Sequence, residues 1–268
     1  MKVGVVGGSG RMGQMVVAQV METPGCVVSG GVEQPGHPLV GKDIGVTAGI
    51  DALGVEIGED AAAMIAAVDV VVDFTIPAAT IEHARLAAQA GAAMVIGTTG
   101  LDKEQAGVIE AAARHVPIVW APNMSVGVTL LLALTEQVAG ILGPEDYDIE
   151  IVEMHHKHKI DAPSGTALGL GHAAAAGRGV ALDTVYKAAR DGHTGARPQG
   201  EIGFAVLRGG DVVGEHSVVY AGEGEQVVLT HKAGDRKVFA AGAVRAALWT
   251  KGRAAGLYSM KSVLGFAD

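Results

Sequence analysis

The part of the chain up to Trp120 alternates short Val- and Ile-rich runs with Ala-rich amphipathic stretches, and this alternation restricts the fold more than any other feature. The predicted strands are Lys2–Val6, Val27–Val32, Val68–Phe74, Ala93–Ile96 and Pro117–Trp120. The predicted helices lie near Met12–Met21, Asp60–Ala67, Pro77–Ala90 and Lys103–Arg114. Apolar strands separated by helices are typical of a parallel sheet that is covered on both faces. The pattern therefore predicts an α/β fold whose residues 1–125 form a Rossmann-type doubly wound parallel sheet.

After residue 125 the pattern changes, which predicts a second and smaller domain over residues 126–235. A long apolar helix, Val126–Leu142, precedes an alternating strand at Asp148–His155 and a helix at Ser164–Ala176. The remaining predicted elements are strands at Gly203–Leu207, Val212–Tyr220 and Gln226–Thr230 and a helix at Arg236–Trp249. Because consecutive strands without intervening helices favour antiparallel or mixed pairing, we expect an α+β domain with a mixed sheet.

The charge balance argues against a nucleic-acid-binding protein. The chain has 20 Lys and Arg residues against 29 Asp and Glu residues, a formal net charge of −9, whereas nucleic acids favour a basic face. Its longest apolar stretch, Val126 to Leu142, contains Glu136 and Gln137, which favours a buried helix over a membrane span. We therefore expect a soluble cytoplasmic protein without nucleic-acid or membrane partners.

A glycine-rich loop directly follows the first predicted strand. It reads Gly7-Gly8-Ser9-Gly10-Arg11-Met12-Gly13 and departs by one place from the usual G-x-G-x-x-G spacing. Such a loop lets a pyrophosphate approach the backbone and lie on the N-terminus of the next helix. Glu33 ends the second strand, where an acid holds the adenosine ribose hydroxyls of a dinucleotide. The alternative is an ordinary glycine turn with a solvated Glu33.

The residue after Glu33 bears on the choice of cofactor. A cation there favours the 2′-phosphate of NADPH, whereas this chain has the neutral Gln34. The sequence therefore predicts NADH or NADPH with NADH favoured, although Arg11 is still able to reach a phosphate. Two more loops follow later strands at the edge of the sheet where ligands bind: Gly97-Thr98-Thr99-Gly100 and Ala121-Pro122-Asn123-Met124. The alternative for either loop is an ordinary turn without a ligand.

A cluster of histidines and lysines, His155-His156-Lys157-His158-Lys159, is the strongest functional signal. It is compatible with a metal site, a solvated basic loop or a substrate site. Two adjacent ammonium groups oppose a dication, and neighbouring side chains on a strand point to opposite faces, so we expect no metal. Histidine titrates near neutral pH and is suited to proton transfer.

The residues after the cluster favour the substrate site. Ser164 is a predicted N-cap, so that Gly165 and Thr166 present backbone N–H groups at the positive end of a helix. Lys159 precedes them closely enough to point into the same pocket, while Asp161 is expected to hold the loop. An ammonium group and a helix N-terminus together bind a carboxylate. The combination predicts a nicotinamide enzyme that acts on a small acid.

These residues resemble one family, the 4-hydroxy-tetrahydrodipicolinate (dihydrodipicolinate) reductases of the diaminopimelate–lysine pathway. The similar stretches extend over essentially the whole chain: Val5–Gly13, Val72–Thr75, Gly97–Gly100, Ala121–Gly127, Glu153–Ala167, Arg208–His216 and Phe239–Ala247. The His-His-x-x-Lys motif is specific to that family, whereas the glycine loop is not. The resemblance implies that 4-hydroxy-tetrahydrodipicolinate loses water, that hydride adds at ring C4 and that a proton adds at C3.

The resemblance also assigns roles to residues. His155 would be the proton donor, and Lys159 would assist it and bind a carboxylate. His156 would contact the substrate, while the helix start at Ser164, Gly165 and Thr166 would bind the other carboxylate. The glycine loop (Gly7, Gly8, Ser9, Gly10, Arg11, Met12), Glu33 and the loops Gly97, Thr98, Thr99 and Ala121, Pro122, Asn123, Met124 would bind the cofactor. Family architecture further implies that residues 236–268 return to the first domain and that the second domain assembles a homotetramer.

This chain departs from the family pattern at two positions. Gln34 stands where many members have Arg, and Met124 stands where Phe is common. Two other interpretations stay open on the sequence. One is a Rossmann dehydrogenase of an amino-acid semialdehyde or of aspartate, and the other is a non-catalytic dinucleotide-binding redox sensor. Neither of them requires the His-His-x-x-Lys cluster.

Overall fold

The computed structural model describes residues 1–188 and 190–266, which divide into two compact units. The first unit comprises Met1–Val126 together with the segment from Lys237 onward, and the second comprises Gly127–Arg236. Among the described residues, no helix combines the length and the apolar character that a membrane crossing requires.

The first unit is built on a parallel sheet. Its elements are β1 (Lys2–Val6), α1 (Arg11–Glu22), β2 (Val27–Val32), α2 (Ile44–Thr47), β3 (Ile57–Gly58), α3 (Ala61–Ala66), β4 (Val70–Asp73), α4 (Pro77–Ala90), β5 (Ala93–Ile96), α5 (Lys103–Ala113) and β6 (Pro117–Trp120). The C-terminal segment adds α9 (Lys237–Trp249), β12 (Gly256–Tyr258) and α10 (Met260–Leu264). The seven strands run in the order β12-β6-β5-β4-β1-β2-β3, and all neighbours are parallel.

Alternation along the strands explains why this sheet is covered on both faces. Val3, Val5 and Val72 point into one apolar cluster with α1 and α9, while Val71 and Ile96 point into another with α4 and α5. Burying each such side chain stabilises the fold by about 1.5–3 kcal/mol, so both faces require helices. The predicted doubly wound sheet is confirmed, with the strand that was predicted at Val68–Phe74 shortened to Val70–Asp73.

The second unit combines helices with a mixed sheet. Its elements are α6 (Val126–Ile141), β7 (Asp148–His155), α7 (Gly165–Gly177), α8 (Leu182–Val185), β8 (Tyr186–Lys187), β9 (Ile202–Arg208), β10 (Gly214–Gly222) and β11 (Glu225–Ala233). The strand order is β11-β10-β7-β9-β8, with antiparallel pairs on the β10 side of β7 and parallel pairs on the β9 side. The predicted mixed sheet is therefore confirmed.

The five-stranded sheet has one face covered by helices and one open face. Ile149, Phe204 and Tyr220 pack with residues of α6 and α7, and the Tyr220 hydroxyl donates to the Thr135 carbonyl at 2.8 Å. The alternate positions point the other way. They include several apolar side chains: Val152, Met154, Leu207, Val219 and Val228.

Candidate functional site

The glycine loop of the first unit brings the start of α1 close to β1. Gly7 has a φ of +66°, and a Cβ at Gly13 would lie 2.1 Å from the Gly7 carbonyl oxygen. A side chain at either position would therefore strain the turn or push α1 away. The first turn of α1, which begins at Arg11, presents N–H groups without intrahelical partners at the positive end of the helix. This geometry suits a bound pyrophosphate.

Glu33 lies directly against this loop. Its Oε1 accepts hydrogen bonds from the backbone N–H of Ser9 at 2.9 Å and from the Ser9 hydroxyl at 2.7 Å. Both residues line one cavity of about 620 Å³ in the first unit. The other lining residues are Val6, Gly7, Gly10, Val32, Gln34, Pro35, His37, Glu59, Ala61, Phe74, Thr75, Ile76, Ala79 and His83. The glycine loop and the acid after β2 thus lie together, as a dinucleotide site requires.

A buried carboxylate ties two other loops of the first unit together. Asp73, fully buried at the end of β4, accepts from the N–H and hydroxyl of Thr75 at 2.8 and 2.6 Å and from the Thr98 hydroxyl at 3.2 Å. Its other oxygen lies 2.8 Å from Nδ1 of His83. The Thr80 hydroxyl also donates to that of Thr98 at 2.8 Å. Asp73 therefore holds the loops after β4 and β5 in a fixed relation.

Among the residues that the sequence predicted after β5, the structure gives Gly97 and Thr98 internal roles. A Cβ at Gly97 would lie 2.0 Å from the Phe74 ring, so this ring packs directly on the Gly97 backbone. Thr98 is buried in the Asp73 network, whereas Thr99 is exposed. Of the three residues, Thr99 is the one whose side chain faces solvent.

The side chains of the loop after β6 point in different directions. Met124 is 1% exposed and belongs to the apolar core of the first unit, so its side chain points away from solvent. Asn123 accepts from the N–H of Ser125 at 2.9 Å, Ala121 is buried and Pro122 is exposed.

At the start of α1, Arg11 lines a separate cavity together with Lys237. Gly8 packs against Ile44, and Met12 packs against the core.

The second unit places a polar pair at the end of an apolar row. The buried face of β7 reads Ile149, Ile151, Glu153 and His155, because alternate residues of a strand share a face. The first two side chains belong to the core, and the last two form a hydrogen bond with each other. The buried face of β7 therefore ends in a hydrogen-bonded carboxylate and imidazole instead of further apolar side chains.

Glu153 is held by three partners. Arg208 donates to its two oxygens at 2.9 and 3.2 Å, and the N–H of Ser164 donates at 2.8 Å. Nδ1 of His155 donates to the same carboxylate. Burial alone would raise the pKa of Glu153, but the hydrogen bonds from Arg208, Ser164 and His155 outweigh it and hold the pKa below its usual value. Glu153 is therefore ionised at neutral pH.

His155 has a shifted protonation equilibrium. Burial lowers its pKa, the Glu153 carboxylate offsets part of this shift, and the positive charges of Lys159 and Arg208 add to the lowering. Its ring meets that of His216 edge to face, with centroids 5.0 Å apart. Burial also lowers the pKa of His216 to about 4, so this second imidazole stays neutral at physiological pH. Nε2 of His216 lies 3.0 Å from the Ser164 hydroxyl.

The predicted helix start adjoins this cluster. Ser164 caps α7 by accepting from the N–H of Ala167 at 3.1 Å, and Gly165 and Thr166 form the first turn. Lys159 donates to Asp161 at 2.8 Å, so its ammonium group is held by the carboxylate that the sequence assigned to the loop. The His156 N–H donates to the Val212 carbonyl at 2.7 Å. The structure therefore brings His155, Ser164 and the start of α7 together.

Glu153, His155 and His216 have ligand atoms within 4.8 Å of one another, a spacing compatible with a metal ion. The Arg208 guanidinium, however, already occupies both oxygens of Glu153. A cation bound there would face an adjacent positive charge, which is unfavourable. We therefore assign no metal to this cluster.

Glu153, Arg208 and His216 are functional candidates that the sequence motifs leave without a role. Period-two alternation places Glu153 on the same face as His155, so its role was detectable from the strand alone. Arg208 and His216 pair with β7 opposite His155 and Glu153, respectively. This register is a tertiary property, and only the structure identifies these two residues.

Comparisons with known proteins agree on one family. The family model described as dihydrodipicolinate reductase, N-terminus, matches residues 1–124, and the model for its C-terminus matches residues 127–264. A 4-hydroxy-tetrahydrodipicolinate reductase of Methylocella silvestris is 56% identical over 268 residues, which are 100% of this chain and 98% of the relative. The enzyme of the same name from Brucella abortus is 55% identical over 97% of both chains.

Solved structures provide a comparison of the fold. A dipicolinate-bound dihydrodipicolinate reductase from Paenisporosarcina sp. TG-14 matches with a TM-score of 0.76 over 97% of both chains, at 24% identity. Aspartate semialdehyde dehydrogenase II from Vibrio cholerae matches with a TM-score of 0.57 at 13% identity, over 94% of this chain and 99% of that one. At these identities the likeness shows the fold alone.

Proposed function

The chain belongs to the dihydrodipicolinate reductase family, and from this premise we propose that it reduces 4-hydroxy-tetrahydrodipicolinate with a nicotinamide dinucleotide, with His155 as proton donor. Water is lost and tetrahydrodipicolinate is formed, a step of diaminopimelate and lysine biosynthesis. The observation that carries the proposed site is the buried Glu153–His155 pair beside the start of α7. A semialdehyde dehydrogenase or a redox sensor has no need of this arrangement.

The first unit is the proposed dinucleotide-binding domain. Its glycine loop suits a pyrophosphate because close packing of Gly10 and Gly13 on the Gly7 carbonyl holds the N–H groups at the start of α1 beside the loop. The loop would hold the phosphates, Glu33 the adenosine ribose, and the backbones of Gly97–Thr99 and Ala121–Met124 the nicotinamide. When bound, the reduced cofactor supplies the hydride for ring carbon C4. Asp73 keeps Thr98 and its loop in place for this contact.

The choice between the two nicotinamide cofactors follows from charge. The Glu33 carboxylate accepts hydroxyl hydrogens well and repels a 2′-phosphate, and Gln34 contributes no compensating cation. We therefore propose NADH as the preferred cofactor. Arg11 lines a different cavity, which supports this preference.

The second unit is the proposed substrate-binding and oligomerisation domain. The N-terminal turn of α7, at Gly165 and Thr166, would bind one ring carboxylate. Lys159 would bind the other by exchanging Asp161 for the substrate, which costs little because Asp161 is 55% exposed. His156 would contact the ring from the same loop.

The proton for C3 would come from Nε2 of His155. Because Nδ1 donates to Glu153, Nε2 is the nitrogen that remains for the substrate. The lowered pKa keeps His155 mostly neutral in the free protein. A bound dicarboxylate adds two negative charges nearby and raises that pKa, so that the imidazolium forms when the substrate is present.

We further propose a homotetramer that is assembled through the open face of the second unit. Leu207 and Val228 are 50% and 49% exposed on this face, and Val152, Met154 and Val219 lie between them. An apolar strip on an open sheet face is the kind of surface that copies of one chain bury against each other. We also propose that the protein is cytoplasmic.

The test of the function is cofactor oxidation at 340 nm, with the substrate generated in situ from pyruvate and aspartate semialdehyde by the preceding synthase. Synthase-dependent oxidation of NADH or NADPH is the expected result. A folded protein that binds NADH but oxidises neither cofactor would overturn the proposal.

A further inference from the structure

Glu59 places a second carboxylate at the adenosine end of the cofactor cavity. It lines the cavity together with Glu33, Gln34 and His37. No motif spacing identifies Glu59, because it is 26 positions from Glu33 and follows a two-residue strand. The pairing of strands in the sheet places Glu59 at the cavity, and no sequence motif predicts this placement.

The pairing of β2 with β3 brings the two acids together. The N–H of Glu33 donates to the Gly58 carbonyl at 3.0 Å, and Glu59 is the next residue along the chain. The Glu59 carboxylate in turn accepts from the N–H of Gly36 at 3.3 Å. Glu59 is therefore tied to the loop after β2, the same loop that presents Gln34.

The charges around this end of the cavity are unbalanced. The described lining residues include the two carboxylates of Glu33 and Glu59 but neither Lys nor Arg. His37 and His83 are the only imidazoles among these lining residues, and Nδ1 of each already has a partner, the Leu39 N–H and the Asp73 carboxylate, respectively. A dianionic 2′-phosphate would thus meet two negative charges, whereas a ribose hydroxyl is neutral.

We propose that Glu59 is a specificity-determining residue that acts with Glu33 to exclude the 2′-phosphate of NADPH. The proposal rests on the proposed function only in taking this cavity as the dinucleotide site. For an assumed separation of about 8 Å, repulsion by one carboxylate lowers the affinity for a phosphate dianion by about a factor of five in water without salt. Because Glu59 is exposed, dissolved salt screens the effect.

The test is the binding of NADH and of NADPH to Glu59→Gln, followed by cofactor fluorescence without substrate. Glutamine keeps an acceptor for the Gly36 N–H and removes the charge. We expect the ratio of the NADPH Kd to the NADH Kd to fall about threefold in about 20 mM salt and less than twofold in about 0.5 M salt. The matched control is Glu56→Gln, which removes an exposed carboxylate that precedes β3 and lies outside the lining residues.

The outcomes separate this inference from the proposed function. A Kd ratio that stays within twofold of the wild-type value at low salt, or that shifts equally in Glu56→Gln, would overturn the role of Glu59. Failure of the reductase assay with normal NADH binding would overturn the reaction and leave the Kd ratio interpretable. Absence of dinucleotide binding in the wild-type protein would overturn both.

Discussion

Nδ1 of His155 donates a hydrogen bond to the carboxylate of Glu153, two residues earlier on β7, and both side chains are buried. The bond fixes the tautomer of the imidazole and turns Nε2 away from the carboxylate. A Cβ at Gly214 would lie 3.0 Å from that Nε2, so glycine at this position of β10 leaves room beside this nitrogen. Glu153 is therefore a positioning residue for His155, in the way that a carboxylate orients the histidine of a hydrolase triad.

Glu153→Gln should lower kcat by roughly 10- to 100-fold. The amide still accepts from Nδ1, but it no longer stabilises the imidazolium, so the pKa of His155 falls further. The decline of kcat with rising pH should therefore begin at a lower pH than in the wild type. The measurement is kcat as a function of pH, with the NADH Kd as a check on the other unit. An unchanged pH profile would remove Glu153 from this role.

His155→Ala should lower kcat by about 10²–10⁴-fold, as expected for a lost general acid, and change the NADH Kd little. The matched control is His158→Ala, because His158 belongs to the same cluster but is exposed. Steady-state kinetics with saturating NADH compare the two variants. Equal losses in both would mean that the cluster acts through its charge rather than through His155.

Asp73 and Thr98 should behave as one unit in cofactor binding. Thr98→Val removes the hydroxyl that donates to Asp73, and Asp73→Asn weakens the acceptor, so each should raise the NADH Kd by about tenfold. The double variant should be little worse than either single variant, because both remove the same contact. Thr98→Ser keeps the hydroxyl and should restore binding. Additive losses would indicate that Thr98 contacts the cofactor directly.

Leu207→Glu should split the assembly into smaller species. The substitution places a charge in the apolar strip of the open sheet face, where burial against another copy would leave it unpaired. Light scattering coupled to size-exclusion chromatography measures the mass of the particle. Val46→Glu is the control, since Val46 is 60% exposed on the short helix α2 of the first unit. A monomeric wild-type protein would contradict the proposed tetramer.

The fold was predictable where local signals are strong. Pro77 at the first turn of α4 and the Asp102–Gln105 capping box of α5 mark helix starts, and the apolar runs before them mark strands. The short elements α2, β3, β12 and α10 carry two to five residues each and were not predicted. Elements of this length lack a measurable period and depend on tertiary packing.

The candidate site was predictable only in part, for the same physical reason. His155, Lys159 and Ser164 are neighbours along the chain, so spacing alone places them near one another. Arg208 contacts the Glu153 carboxylate from β9, and His216 contacts the Ser164 hydroxyl from β10. Glu59 lies at the proposed cofactor cavity because β2 pairs with β3. Strand register connects residues that no motif spacing connects.

His216 should make the stability of the protein depend on pH. Burial lowers its pKa from about 6.5 in the unfolded chain to about 4, so the unfolded state binds more protons between these values. The free energy of unfolding therefore rises with pH in this window, and the contribution of His216 is lost as the pH falls from about 6.5 to about 4.

Between pH 7.5 and pH 5 this contribution amounts to about 2 kcal/mol. His216→Asn removes it, so urea unfolding of the variant should be less sensitive to pH by that amount, even though the variant is less stable at pH 7.5 because the hydrogen bond to Ser164 is lost. His193→Asn, at an exposed position, should keep the wild-type dependence. If the free energy of unfolding changed with pH equally in the wild type and in His216→Asn, His216 would take up its proton inside the folded protein. The inference that His216 stays neutral beside His155 would then be wrong.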